Sequence, residues 1–210
     1  MKRYFLVFVL ACCLLGRQAF ASDQKLAHGA GTLPHLTSAF TLSLGFEMPM
    51  PLYYALRYDI GLGNRVQLGL SGSWFLGITV VEIHSMFNVL KPAGDRDFLS
   101  LYLNPGFINI SGFIFELPDV NLAMFFLAPG VAYEHRFGDS RRIGLYAKVG
   151  AMMLVGGTFD GESGWGLGLM GIDFRVGFQA MLGKHFSITL EPYFQTPEFF
   201  FGKAALTWAL

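Results

Sequence analysis

The chain predicts an all-β fold, a membrane-spanning, antiparallel, up-and-down β-barrel of about ten strands, with eight as the alternative count. Three observations point there. Apolar residues alternate with a period of two over segment after segment, the signature of strands with one apolar face. Hydrophobic residues make up 53% of the 210 positions and charged residues only 14%, a mix too apolar for an ordinary soluble domain. The 26 glycines are spread evenly along the chain, where a helix bundle would be weakened by them. In hydrocarbon every backbone N–H and C=O must be bonded internally, which leaves only helices and closed sheets as spanning structures.

The amino terminus reads as an export signal, expected to be cleaved after Ala21. Lys2 and Arg3 precede the apolar run 4–15, and Ala19-Phe20-Ala21 follows, the positive, apolar and small-residue parts of a secretory leader. A retained anchor helix is disfavoured, because a helix needs roughly 20 apolar residues to cross a bilayer and this run is shorter. Lipid attachment at Cys12 is the lesser alternative, since the apolar run before it is very short. Both cysteines, Cys12 and Cys13, lie inside the leader, so the mature chain is expected to hold neither a disulfide nor a thiolate metal site. Removing Lys2, Arg3 and Arg17 leaves 12 basic against 15 acidic residues, too even a balance to indicate a nucleic-acid partner. The domain reading is a leader over 1–21, a short periplasmic segment over 22–35, and the barrel over 36–210.

Ten strands are expected, at 36–46, 52–62, 65–75, 78–90, 98–107, 122–137, 143–155, 167–182, 186–196 and 199–209. In the second, Leu52, Tyr54, Leu56, Tyr58, Ile60 and Leu62 share one face while Tyr53, Ala55, Arg57, Asp59 and Gly61 share the other. The eighth repeats this, with Ile172, Phe174, Val176 and Phe178 against Asp173, Arg175, Gly177 and Gln179. In the last, Ala204, Leu206, Trp208 and Leu210 point outward, and Lys203, Ala205, Thr207 and Ala209 inward. Compact polar turns are expected at 63–64, 91–97, 138–142 and 183–185 on the periplasmic side, and connections at 47–51, 76–77, 108–121, 156–166 and 196–198 outside, in keeping with short inner turns and longer outer loops. Aromatics gather near strand ends, among them Phe46, Tyr53, Trp74, Phe75, Phe107, Trp165 and the run 199–201, as interfacial girdles require.

A four- or five-helix bundle is the main competitor, but its apolar stretches are broken by Asn104-Pro105-Gly106 and Pro129-Gly130. A soluble β-sandwich would carry a polar outer face, whereas here that face is aromatic and aliphatic.

With leader, alternation and terminal strand in place, the chain resembles the superfamily of small bacterial outer-membrane β-barrels, including OmpW-like, OmpX-like and OmpA transmembrane-domain-like proteins. The resemblance spans most of 36–210 and rests on architecture, not on a specific motif. It implies the outer membrane as location, outer-membrane lipid as surroundings, and the barrel-insertion machinery as reader of the terminal strand, where Leu210 replaces the usual terminal aromatic. Implied activities range from passage of small or apolar molecules to adhesion.

The inward register places Arg57, Arg136, Lys148, Arg175 and Lys203 opposite Asp59, Glu82, Glu134, Asp173 and Glu191, with His84 beside Glu82. These eleven residues are the expected lumen network. Five cations balance five anions, which favours a paired, largely closed interior over an ion-selective pore, and a barrel of this size excludes a wide diffusion porin. Inward Gly69, Ser71 and Ser73 leave room for a narrow path. None of His28, His35, His84, His135 and His185 forms a metal-ligand spacing. The stretch 156–168 lacks the Gly-Lys-Ser/Thr of a phosphate loop and the acid spacing of a calcium loop, so it reads as a surface loop. The other long loop, 108–121, is apolar through Ile108, Ile110, Phe113, Ile114 and Phe115, suited to the barrel mouth or to docking. No catalytic, cofactor or metal site is expected. The functional expectation is a narrow channel for small or apolar solutes; a closed barrel with a structural or surface-binding role comes second, and a lipid-modifying enzyme third.

Overall fold

The structure is a computed structural model that describes residues 29, 31–48, 50–63, 65–75, 77–90, 96–111, 121–138, 141–159, 162–196 and 199–210. It contains ten strands: β1 (Ser38–Met48), β2 (Met50–Gly61), β3 (Val66–Phe75), β4 (Ile78–Leu90), β5 (Asp97–Ser111), β6 (Asn121–Phe137), β7 (Ile143–Phe159), β8 (Glu162–Met181), β9 (Phe186–Gln195) and β10 (Phe199–Ala209). Every neighbour is antiparallel, and β1 pairs with β10 from Ala39↔Ala209 to Met48↔Phe200, which closes the barrel. The count is therefore ten, not eight.

The alternation sorts side chains as the period of two dictates. Along β10, Ala205, Thr207 and Ala209 are buried while Leu206 and Trp208 are exposed. The outward set on other strands is equally apolar, for example Leu42, Leu44, Leu70, Ile83, Leu103, Val149 and Phe174, each more than a third exposed. An apolar face this continuous is stable only against hydrocarbon. Aromatic clusters mark its two rims. At the end carrying the termini, Phe186 stacks on Trp208 with centroids 6.1 Å apart. At the opposite end Phe125 lies 5.1 Å from Phe107 and 5.9 Å from Trp165. Tyr53 points inward, so it is no girdle residue; the side chains of Phe46, Phe75 and 199–201 lie outside the described residues.

Three connections differ from expectation. At 47–51, β1 runs to Met48 and β2 begins at Met50, with Glu47↔Met50 paired. The 156–166 loop is replaced by strand: β7 runs to Phe159 and β8 begins at Glu162, with Phe159↔Glu162 paired. Its glycines alternate with Trp165, Leu167 and Leu169, and register shifts near Met152 and Leu154 turn these three outward, where they are highly exposed. Bulges of this kind re-aim a strand without ending it. Likewise β5 extends to Ser111, so 108–111 are strand and not loop; Phe113, Ile114 and Phe115 lie outside the described residues. Short turns are built as the polar residues suggested, with Gly63 and Gly77 at φ +80° and +89°, the left-handed region that tight hairpins demand.

Glycines inside the wall accommodate aromatics from the next strand. Tyr53 lies over Gly45, Phe126 over Gly106, Tyr102 over Gly130 and Tyr146 over Gly177, each pair directly opposite in the register. A Cβ added at any of these glycines would fall 2.0–2.2 Å from a ring atom. Cross-strand aromatic–glycine pairs thus fill the lumen without overpacking it. Gly177→Ala should displace Tyr146 and cost about 1–3 kcal/mol, seen as a lower urea midpoint for loss of the heat-modifiable gel band. Gly72→Ala, where nothing lies within 4 Å, should leave that midpoint unchanged or raise it.

Candidate functional site

The lumen has two regions. Its terminal end is filled by polar side chains and by chain from before β1. Gly29, Gly31 and Leu33, part of the 22–35 segment, are buried inside the wall at the terminal end of the barrel. The Gly31 N–H donates to Glu134 Oε2 at 2.7 Å, and the Leu33 N–H donates to Gln67 Oε1 at 3.0 Å. Leu33 packs with Ala39 and Ala209. Small residues are needed here: a Cβ on Gly29 would lie 1.9 Å from Glu134 Oε2, and one on Gly31 would lie 2.2 Å from Arg136 Nη2. The missed signal is the Gly29-Ala30-Gly31 run itself, three small residues that suit a narrow passage as readily as a linker.

Glu134 is the hub of this plug region. It accepts from Arg136 Nε at 2.7 Å and from Gln179 Nε2 at 2.9 Å in addition to Gly31. Arg136 also caps the Phe98 ring, 4.3 Å from its centroid. A second knot forms where Arg57 donates two bonds to Asp59, at 2.6 and 2.7 Å, and Gln67 Nε2 donates a third at 3.1 Å. These bonds satisfy charges that would otherwise be costly to bury.

Toward the opposite end the packing opens into a cavity of about 250 Å³. Its wall includes Arg57, Glu82, His84, Lys148, Arg175, Glu191 and Lys203. Asp173 receives Arg175 Nε at 2.5 Å, Glu191 pairs with Lys203 at 3.0 Å and accepts the Tyr146 hydroxyl at 2.6 Å, and His84 Nε2 lies 2.7 Å from Ser71 Oγ and 3.9 Å from Glu82. Lys148 makes no ion pair with a described carboxylate; its ammonium sits 4.9 Å from the Tyr146 ring centroid.

All eleven expected lumen residues thus face inward, in three groups: Glu134 and Arg136 in the plug region, Arg57 and Asp59 at its boundary, and the remaining seven around the cavity. The expected network, built on charge, left out Gln67, Tyr102, Tyr146 and Tyr193, and also Gln179, although its inward face was expected; all five share the inward parity but carry no charge. The other described histidines stand at the terminal end: His135 bonds Asp97 at 2.7 Å, His185 bonds the Ala209 carbonyl at 3.1 Å, and His35 accepts the Gly63 N–H at 2.9 Å. His28 lies outside the described residues. Among the described residues, no group of three or more His, Cys, Asp and Glu is placed to hold a metal ion.

No family model matches the chain, and no curated protein matches it. Solved outer-membrane proteins are similar to it. An outer membrane channel from Pseudomonas putida F1 aligns with a TM-score of 0.58 at 8% identity, covering 89% of this chain and all of that one. The KdgM porin aligns at 0.47 and 6% identity over 81% of this chain and 98% of its own. Omp33 of Acinetobacter baumannii aligns at 0.42 and 5% identity over 83% and 98%. The chain is thus similar in fold to the first of these, and is itself a closed ten-stranded barrel.

Removing the hub should loosen the plug. Glu134→Ala removes the carboxylate that accepts from Gly31, Arg136 and Gln179 and should cost about 3–5 kcal/mol. Limited proteolysis of the folded variant should then cut at 31–33, where the N–H groups of Gly31 and Leu33 are bonded inside the parent barrel.

Proposed function

We propose that the protein is a narrow outer-membrane channel for small solutes, held shut at its periplasmic end by its own amino-terminal residues. The carrying observation is the contrast inside one lumen: a polar-lined cavity of about 250 Å³ lies above a terminal end packed with Leu33, Gln67, Glu134 and Gln179, all at most 1% exposed. A purely structural barrel of this size has an interior that side chains can fill, and this one is filled only in part. The likeness to an outer membrane channel supports the reading through shared fold. Cleavage after Ala21, insertion through the terminal strand ending at Leu210, and absence of a catalytic role belong to the same proposal.

The packed end favours one second reading, a closed barrel that binds at its surface or in its cavity without conducting. Planar-bilayer recordings on the folded protein separate the two. The channel reading expects small, reproducible steps, altered by Arg175→Ala and enlarged when residues 22–33 are deleted. Silence from both the parent and the deletion variant, each folded by circular dichroism and gel shift, would establish the closed barrel.

A further inference from the structure

The lumen charges are balanced in number but not in placement. Among the ion pairs around the cavity the carboxylates are hidden against the wall: side-chain exposure is 0% for Asp59, 8% for Asp173 and 1% for Glu191. Their partners face the space, at 17% for Arg57, 34% for Arg175 and 15% for Lys203. Lys148, with no described carboxylate partner, joins them on the cavity wall. These four cations come from β2, β7, β8 and β10, which occupy one arc of the barrel around β1 and β9.

The opposite arc is mixed. Val80 on β4, paired with Ile108 on β5, and Phe126 on β6 form an apolar patch there, with Met152 of β7 at its edge, beside polar Ser71, Glu82, His84 and Asn104. Glu82 on β4, 26% exposed beside His84, is the accessible carboxylate of the wall. It repels a negative group from its own side of the cavity and so orients such a group toward the cations. A concave space with apolar walls and a few convergent charges is the general form of a small-molecule site, although at 250 Å³ it falls just below the usual range of roughly 300–1,000 Å³.

We propose that this cavity binds a small organic anion with a compact apolar body, an aromatic or short-chain carboxylate, its carboxylate on Arg57, Lys148, Arg175 and Lys203 and its body against Val80, Ile108 and Phe126. As a statement about what passes, this rests on the channel reading; as a statement about binding, it stands apart from it. Lys148 is the informative position, because replacing it orphans no carboxylate, whereas loss of Arg57 or Arg175 strands an aspartate.

The test compares benzoate, benzyl alcohol and benzylammonium by calorimetric titration against the full protein in lipid nanodiscs, with Lys148→Met alongside. Benzoate should bind at least about tenfold tighter than either counterpart, and Lys148→Met should weaken benzoate about tenfold while leaving benzyl alcohol unchanged, the size expected for one charged hydrogen bond. Equal binding of the three ligands, or benzoate binding indifferent to Lys148→Met, overturns the proposal even if the protein conducts. Benzoate preference in a barrel that never conducts upholds the site and removes the channel reading instead. Should Lys148→Met fail to fold, Lys148→Gln replaces it, and the three-ligand comparison on the parent decides by itself.

Discussion

Closure of β1 on β10 is the contact on which everything else depends. A strand in hydrocarbon with a free edge leaves a row of unpaired N–H and C=O groups, each costing several kcal/mol. Ten consecutive pairs from Ala39↔Ala209 to Met48↔Phe200 remove that edge. Closure also fixes which side chains are inside. A one-residue slip would carry Thr41 and Thr207, bonded to each other at 3.0 Å, into lipid, and Leu42 and Leu206 into the lumen. The plug exploits the same closure, since Leu33 is held between Ala39 at the start of β1 and Ala209 at the end of β10.

Inside a closed wall, side-chain length decides what the cavity feels. Aspartate and glutamate are short and stay near the backbone that carries them, while arginine and lysine have stems long enough to carry their charge away from it. Asp59 and Arg57 illustrate this two residues apart on β2: the carboxylate is fully buried and the guanidinium reaches the space. Asp173 and Arg175 repeat the arrangement on β8. An interior with equal numbers of each sign therefore presents more cations than carboxylates to the space, with Glu82 as the exposed carboxylate. Counting charges along the chain indicated a paired interior, and the pairs are there, but the count has no radial coordinate and so missed the polarity of the space between them.

Much of the fold was legible because one physical signal, the period of two, governs both burial and register. Leu52 to Leu62 and Ile172 to Phe178 announce their outward faces directly, and the polar turns between strands announce the connections. The failures have a common cause, composition standing in for pairing. Gly156 to Gly168 looks like a loop because glycine is a poor strand former, yet Gly156 faces Trp165 and Gly157 faces Gly164 across a regular ladder. In the site, the charged members were legible from parity plus charge; Gln67, Gln179 and Tyr146 have the parity alone, and only their bonds to Asp59, Glu134 and Glu191 reveal that they belong.

The glycines connect these points. Where inward glycine meets a neighbour's ring, as Gly177 meets Tyr146, the ring lies along the wall and its hydroxyl reaches Glu191. That bond helps hold Glu191 beside Lys203, and the Tyr146 ring in turn lies under Lys148. The position of two cavity cations is thus set partly by a residue with no side chain, two strands from Lys203. At the other end of the lumen Gly29 and Gly31 do the reverse, letting backbone approach Glu134 where any side chain would collide. The barrel wall is the same throughout; the inward side chains, and the glycines that make room for them, divide it into a sealed end and a cationic chamber.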